Sequence, residues 1–193
     1  MNWVAAGVEI ATSRKCTWVA FCGVSRLTRR VIVELQEPLD RTQVTAALVA
    51  MWEHPGLGTF ALDPRSPSST LIEPLHAEGM PLRLADTIGV ATAHGRFADL
   101  LYADKLRFRG HPALDEAMRA AEARRLAGSV AIDRYAAADM APLMAAELSV
   151  WALGDPETAD GIEAGVWVLE APASRDIGRP SWTDIIPPWV QRG

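Results

Sequence analysis

Cysteine is nearly missing from this 193-residue chain: Cys16 and Cys22 are the only two, six positions apart in a strand-like stretch. That spacing fits neither a CxxC redox pair nor a zinc-ligand pattern, so two ordinary buried thiols are expected. Long apolar runs are missing as well. "GVATA" and "GSVAI" fall far short of the roughly 20 residues that cross a bilayer. The start, "MNWVAAGVEIATSRK", has no basic segment followed by a long apolar one, so no membrane span and no secretory signal is read, and a cytoplasmic setting is expected. No internal repeat or low-complexity segment occurs. Several catalytic signatures are also missing: no GxSxG elbow, no HExxH, no GxGxxG after the first strand and no GxxxxGK[ST] phosphate loop. The histidines at 54, 76, 94 and 111 lack paired spacing. His54, His76 and His111 adjoin proline or helix ends, where surface positions are expected, whereas His94 lies inside a helix and can face the core.

What remains is a composition that folds. With 49% hydrophobic and 22% charged residues, the chain can bury one sizeable core, as expected for one domain of ordinary size plus a tail. The net charge of −5 is uneven: up to Leu153 there are 16 basic against 17 acidic residues, and from Gly154 onward 3 against 7. Two regions are therefore expected: a nearly neutral body at 1–153, and an acidic tail at 154–193 rich in Pro and Gly, with Trp167, Trp182 and Trp189 set among them. The body carries local basic groups, "SRK" at 13–15, "RLTRR" at 26–30, "KLRFR" at 105–109 and "EARRL" at 122–126, which can track phosphates or simply solvate a surface.

Periodicity gives the order of elements. "GVEIA" and "TWVAFCGV" read as strands joined by the turn "TSRK", and "RRVIVELQE" adds a third, making an antiparallel meander. "RTQVTAALVAMWEH" has Val44, Ala47, Leu48, Met51 and Trp52 on one helical face. "TFALDP" and "MPLRLAD" read as short strands, and "SSTLIEPLHAEG" as a helix ending at Gly79 whose start Pro74 limits or kinks. "TIGVATAHGRFADLLYADK" is a helix capped by Asp86. A short basic strand follows, then a helix over "HPALDEAMRAAEARRL", a strand at "SVAIDRY" and a final helix at "MAPLMAAELSVW". Three antiparallel strands feeding alternating units imply an α/β mixed sheet, an antiparallel meander plus parallel strands, with helices on both faces.

Three acids stand at element ends amid apolar sequence. Glu9 sits in the first strand between Val8 and Ile10. If those two face the core, Glu9 points the other way, and an exposed-face glutamate is an equal reading. Asp63 ends a strand before Pro64, where sheets gather ligands and where turns also open. Asp139 precedes the last helix and suits a cap, an effect of about 1 kcal/mol. Together the three can do more. Two hard cations about 4 Å apart need carboxylate oxygens converging from different elements; such a pair activates a water and stabilises a leaving oxygen in phosphodiester hydrolysis. Asp133, at the end of "SVAID", is a spare candidate ligand, with a strand-end turn as its simpler role.

The runs "TFALDPRSPSSTLIEPLHAEGMPLRLAD", "HGRFADLLYADKLRFRGHPALDEAMRAAEARRLAGSVAIDR" and "DMAPLMAAELSVW" resemble the nuclease domain of tailed-bacteriophage terminase large subunits, over residues 5 to about 153. "LRFRGHPALDEAM" is the most diagnostic part. The resemblance implies an RNase H-like fold. It also implies a metal-dependent endonuclease that cuts concatemeric double-stranded DNA during packaging, with two Mg²⁺ or Mn²⁺ ions and no protein nucleophile. The family's acids fall on Glu9, Asp63 and Asp139, with Glu9 standing where Asp is usual. The longer side chain shifts the carboxylate by about 1 Å, against a tolerance of about 0.5 Å at sites of this kind. Arg14, Lys15, Arg107 and Arg109 are candidates to hold the DNA backbone. With no helix-turn-helix or zinc module, little sequence preference is expected. The partners implied are the terminase ATPase domain, the small terminase subunit and the portal, in the host cell cytoplasm. Since the family's phosphate loop has no counterpart here, the chain reads as an excised nuclease domain or a free-standing relative, and a strand starting within about five residues of Met1 fits the former. The alternative is a non-catalytic RNase H-like module of the packaging motor that docks other parts through its tail.

Overall fold

The computed structural model describes residues 4–25, 27–53 and 57–154. The expected tail, apart from Gly154, and His54 lie outside the described residues. Strands β1 (Val4–Ile10), β2 (Cys16–Val24) and β3 (Val31–Leu35) form the expected meander, and β4 (Leu39–Asp40) adds a short pairing to β2. After helix α1 (Val44–Trp52), strand β5 (Leu57–Leu62) runs parallel to β1. A 3-10 turn (Pro67–Leu71) and helix α2 (Ile72–Ala77) lead to β6 (Leu82–Leu84), parallel to β5. Helix α3 (Thr87–Tyr102) then leads to β7 (Leu106–Arg109), parallel to β3 at the opposite edge. The sheet order is β6-β5-β1-β2-β3-β7, a mixed sheet of the RNase H-like kind. Helix α4 (Pro112–Ala120), a separate hairpin of β8 (Ala123–Leu126) and β9 (Ser129–Ile132), and helix α5 (Ala141–Leu153) complete it.

Alternation along β1 sorts two cores. Val4, Ala6, Val8 and Ile10 pack with Val44 and Leu48 of α1 and Leu75 of α2. On the other face Ala5 and Ala11 join Leu143, Met144 and Leu148 of α5, Val90 and Phe97 of α3, and Leu114 of α4. Every residue of β1 is therefore buried. Gly7 sets how close α5 comes: a Cβ there would stand 2.0 Å from the Ala145 carbonyl oxygen and 2.5 Å from the Ser149 nitrogen, so only glycine admits this approach. The sequence of α5 is apolar all round because the helix is buried nearly all round. Arg83 of β6 closes its far end, donating to the Trp151 and Ala152 carbonyls and stacking 4.0 Å over the Trp151 ring.

Four local expectations change. The helix expected over 111–126 stops at Ala120, and Ala123–Leu126 pairs with Ser129–Ile132 instead. The deciding signal is the turn at Ala127 and Gly128, both with positive φ (50° and 79°), which suits a tight hairpin and overrides the helix preference of an Ala- and Arg-rich run. Consequently β9 joins this hairpin and not the main sheet. The segment 67–77 divides into a 3-10 turn and a helix, because Pro74 has no N–H to donate back and so sits in the first turn of α2. Finally, Cys22 is a buried thiol donating to the Ser149 carbonyl, pushed up to about 12 by burial, whereas Cys16 is only half-buried.

Candidate functional site

The register of β1 and β5 pairs Gly7 with Ala61. Two residues further along, Glu9 and Asp63 stand together at the carboxyl ends of neighbouring parallel strands. Both point to the α5 face, which is covered by helices and not solvent. The expectation of an exposed-face Glu9 therefore fails: Glu9 is 1% exposed and Asp63 4%. Between them lies Arg134, itself buried, from the turn after β9. Its Nη1 is 3.4 Å from Glu9 Oε1, and its Nη2 donates to Asp63 Oδ2 at 2.6 Å.

The remaining carboxylate oxygens are held too. Ser68 Oγ donates to Glu9 Oε2 at 3.2 Å and accepts from the Ile10 N–H at 2.8 Å, tying the 3-10 turn to β1. The Ser66 hydroxyl also bonds Glu9. Asp63 Oδ1 accepts from the Arg65 N–H at 2.8 Å, so Asp63 opens the turn as well as lining the site. Burial pushes the Glu9 carboxyl up to about 8 and the neighbouring Asp63 adds to the rise, while Arg134 and the two serines pull it down. Two acids share one guanidinium, so ionising both would leave the cluster one positive charge short; burial makes that shortfall costly, and the raised Glu9 carboxyl avoids it by keeping its proton.

Asp139 is placed differently. It is exposed; its Oδ1 accepts from the Ala141 N–H at 3.1 Å at the start of α5, and its Oδ2 accepts from Trp18 Nε1 at 3.1 Å. Trp18 is the cross-strand partner of Glu9, so Asp139 stands at the same end of the sheet. The far side of Trp18 meets the ring of His111 edge-on, centroids 5.6 Å apart. His111 is not a surface residue as expected: its Nδ1 accepts from the Ala113 N–H at 3.2 Å and caps α4, and its ring is mostly covered. His94 does face inward, with Nδ1 2.8 Å from Glu147 Oε1 of α5. Asp86 caps α3 as expected, through the Gly89 N–H.

Asp133 accepts from the Tyr135 N–H at 3.0 Å, a turn contact. With Asp63, Arg65, Arg124, Arg134 and Tyr135 it lines a cleft of about 340 Å³ that reaches Asp63 and not Glu9. Arg14 and Lys15 are exposed in the turn after β1, Arg14 with φ 58°. Arg107 and Arg109 each have an acidic partner: Asp104 at 2.5 Å and Glu34 at 3.3 Å. Among the described residues no three His, Cys, Asp or Glu side chains lie close enough to hold a metal ion together. Glu9 and Asp63 come together; Asp139 does not join them. The residue that sequence reasoning missed is Arg134, whose one signal is a basic residue directly after a strand-end acid in "AIDRY".

No protein-family model matches the chain, and no curated protein does. Solved structures do match in fold. The large terminase of bacteriophage HK97 superposes with a TM-score of 0.62 at 16% identity, covering 79% of this chain and 40% of its own. This chain thus spans less than half of that protein. The large terminase nuclease of thermophilic phage G20c, with bound magnesium, gives 0.59 at 14% identity over 77% of this chain and 80% of its own. The nuclease domain of the Thermus phage P74-26 large terminase gives 0.57 at 13%, over 77% and 78%. The fold of this chain is that of large terminase nuclease domains.

Proposed function

We propose that this chain is the nuclease domain of a phage DNA-packaging terminase, a metal-dependent endonuclease that cuts concatemeric double-stranded DNA by two-metal hydrolysis. The observation that carries this reading is the convergence of Glu9 and Asp63, buried at the carboxyl ends of adjacent parallel strands, on a single positive charge. The donors suit a hard divalent cation in kind, being carboxylate oxygens, and the Arg134 guanidinium stands in for that cation's charge. The magnesium in the G20c nuclease supports Mg²⁺ or a similar ion such as Mn²⁺ as the cofactor. When bound, such ions activate water and neutralise phosphate charge. Glu9 and Asp63 would hold the first ion, with Ser66 and Ser68 fixing the Glu9 carboxylate. Asp139, anchored by Trp18, is the proposed third ligand and Asp133 a spare one. Arg14 and Lys15, exposed beside the site, would hold the DNA backbone, and Arg107 and Arg109 would do so from the β7 edge once freed from Asp104 and Glu34. The ATPase domain, small subunit and portal are the proposed partners.

The test is nicking of supercoiled plasmid in Mg²⁺ or Mn²⁺ beside an Asp63→Asn variant. Wild type should give open circles and then linear DNA, and the variant neither. Equal nicking by both, or none by either, sinks the reading. One observation favours a second reading, a non-catalytic module of the packaging motor: Arg134 already occupies the space between the two acids, and Asp139 stands apart from them.

A further inference from the structure

We propose that Arg134 is a built-in competitor for the cation site, a guanidinium that a divalent ion must displace before the Glu9–Asp63 pair can bind it. This rests on the nuclease reading above. The two occupants exclude each other. A small divalent ion needs carboxylate oxygens at about 2.0–2.1 Å, and Asp63 Oδ2 is already committed to Arg134 Nη2 at 2.6 Å. The other Asp63 oxygen closes the turn at Arg65, and the second Glu9 oxygen is held by Ser68, so the oxygens that face each other across the pair are the ones Arg134 occupies, and an ion bridging both acids would stand where its guanidinium does.

Charge decides which occupant is favoured. Two ionised carboxylates in a site 1–8% exposed need two positive charges: one guanidinium balances only one of them, whereas a divalent ion balances both. The exchange also has a route. The turn that carries Arg134 is held by the Tyr135 and Ala136 N–H groups bonding to Asp133 and by the Asp133 N–H bonding to the Glu122 carbonyl; none of these uses the Arg134 side chain, which can leave without breaking a strand pairing. Arg134 already lines the 340 Å³ cleft that holds Arg65 and Arg124. A guanidinium turned into that cleft joins two other arginines beside Asp63, where a phosphate of the DNA strand would meet all three.

The experiment is Mn²⁺ binding to the intact chain, read as loss of the free-ion electron paramagnetic resonance signal, with thermal melts taken with and without the ion. Arg134→Gln should melt lower than wild type without metal, bind Mn²⁺ about tenfold tighter, and gain more melting temperature from Mn²⁺ than wild type does. Arg134→Lys, which reaches one carboxylate and not both, should fall between, and it carries the test if Arg134→Gln does not fold. If both variants bind Mn²⁺ no tighter than wild type, Arg134 is only a structural ion pair and the proposal is overturned, while plasmid nicking by wild type would leave the nuclease reading standing. Absence of Mn²⁺ binding by every form overturns both.

Discussion

Two buried acid–base clusters lie on the α5 side of the sheet, and they differ in stoichiometry. Glu147 of α5 meets His94 of α3 one to one, at 2.8 Å, between two packed helices with the histidine partly open to solvent. Glu9 and Asp63 share a single arginine at the strand ends, beside a cleft. The first arrangement is what a fold uses to bury a polar pair at little cost: each group satisfies the other, burial raising the Glu147 carboxyl and the hydrogen bond to Glu147 raising the His94 imidazole. The second has one acid more than it has bases, so that acid holds its proton, and a fold with no use for it would gain by replacing it with an apolar residue. Burial alone therefore does not mark a site; an unmatched acid next to an opening is the stronger sign.

The sharpest test applies one chemical change to both clusters. Asp63→Asn should lower plasmid nicking by about a hundredfold or more, the upper end of what losing even a supporting residue costs at a metal site, whereas Glu147→Gln should leave nicking within a few-fold. Equal losses would erase the distinction. Next in size is stability. His94→Ala strands Glu147 without a partner and should cost about 2 kcal/mol near neutral pH, read as a lower urea midpoint at unchanged slope. Adding Glu147→Leu should recover most of that loss, because the pair would then be replaced by packing.

Titration should separate the clusters further. The folded chain holds the Glu9 proton more tightly than the unfolded chain, so that contribution is complete below about pH 4.5 and is lost as pH rises through about 8. A Glu9→Gln chain should thus gain on wild type between about pH 5 and about pH 9, measured by urea unfolding across that range. The His94 contribution also fades upward, through a value raised above the ordinary histidine range. Its pH dependence should survive in Glu9→Gln and vanish in His94→Ala. The smallest effect is expected at Asp139: Asn caps about as well, but its one oxygen cannot serve both the Ala141 N–H and the Trp18 Nε1–H, so Asp139→Asn should cost about 1 kcal/mol, and Trp18→Phe should remove most of that difference.

Much of this was legible in the sequence, for identifiable reasons. The alternation in β1–β3 and the spacing of Val44, Leu48 and Trp52 in α1 mark faces directly. Glu9 and Asp63 stood out as lone acids among apolar neighbours. The direction of Glu9 did not, because alternation separates two faces without saying whether the second meets water or a helix, and here α5 covers it at Gly7. Arg134 was hidden for a related reason: it meets Glu9 across 125 residues, and no local pattern carries a contact of that range. The β8–β9 hairpin was masked by helix-favouring composition, with only the Ala127–Gly128 turn to betray it.

Gly7 against Ala145 has a consequence for how the molecule is made. The strand that begins the described fold is finished only by the helix that ends it, so on a ribosome β1 waits with one face bare until α5 emerges. Both acids are synthesised before Arg134, Asp63 by 71 residues, which is roughly 4 to 14 seconds of synthesis at about 5–20 residues per second. During that interval the nascent chain carries two carboxylates with no arginine between them, and closing their strands side by side is opposed by their own repulsion. The site is thus the last part of the domain to assemble, and a chain released before α5 would carry both acids and hold neither in place.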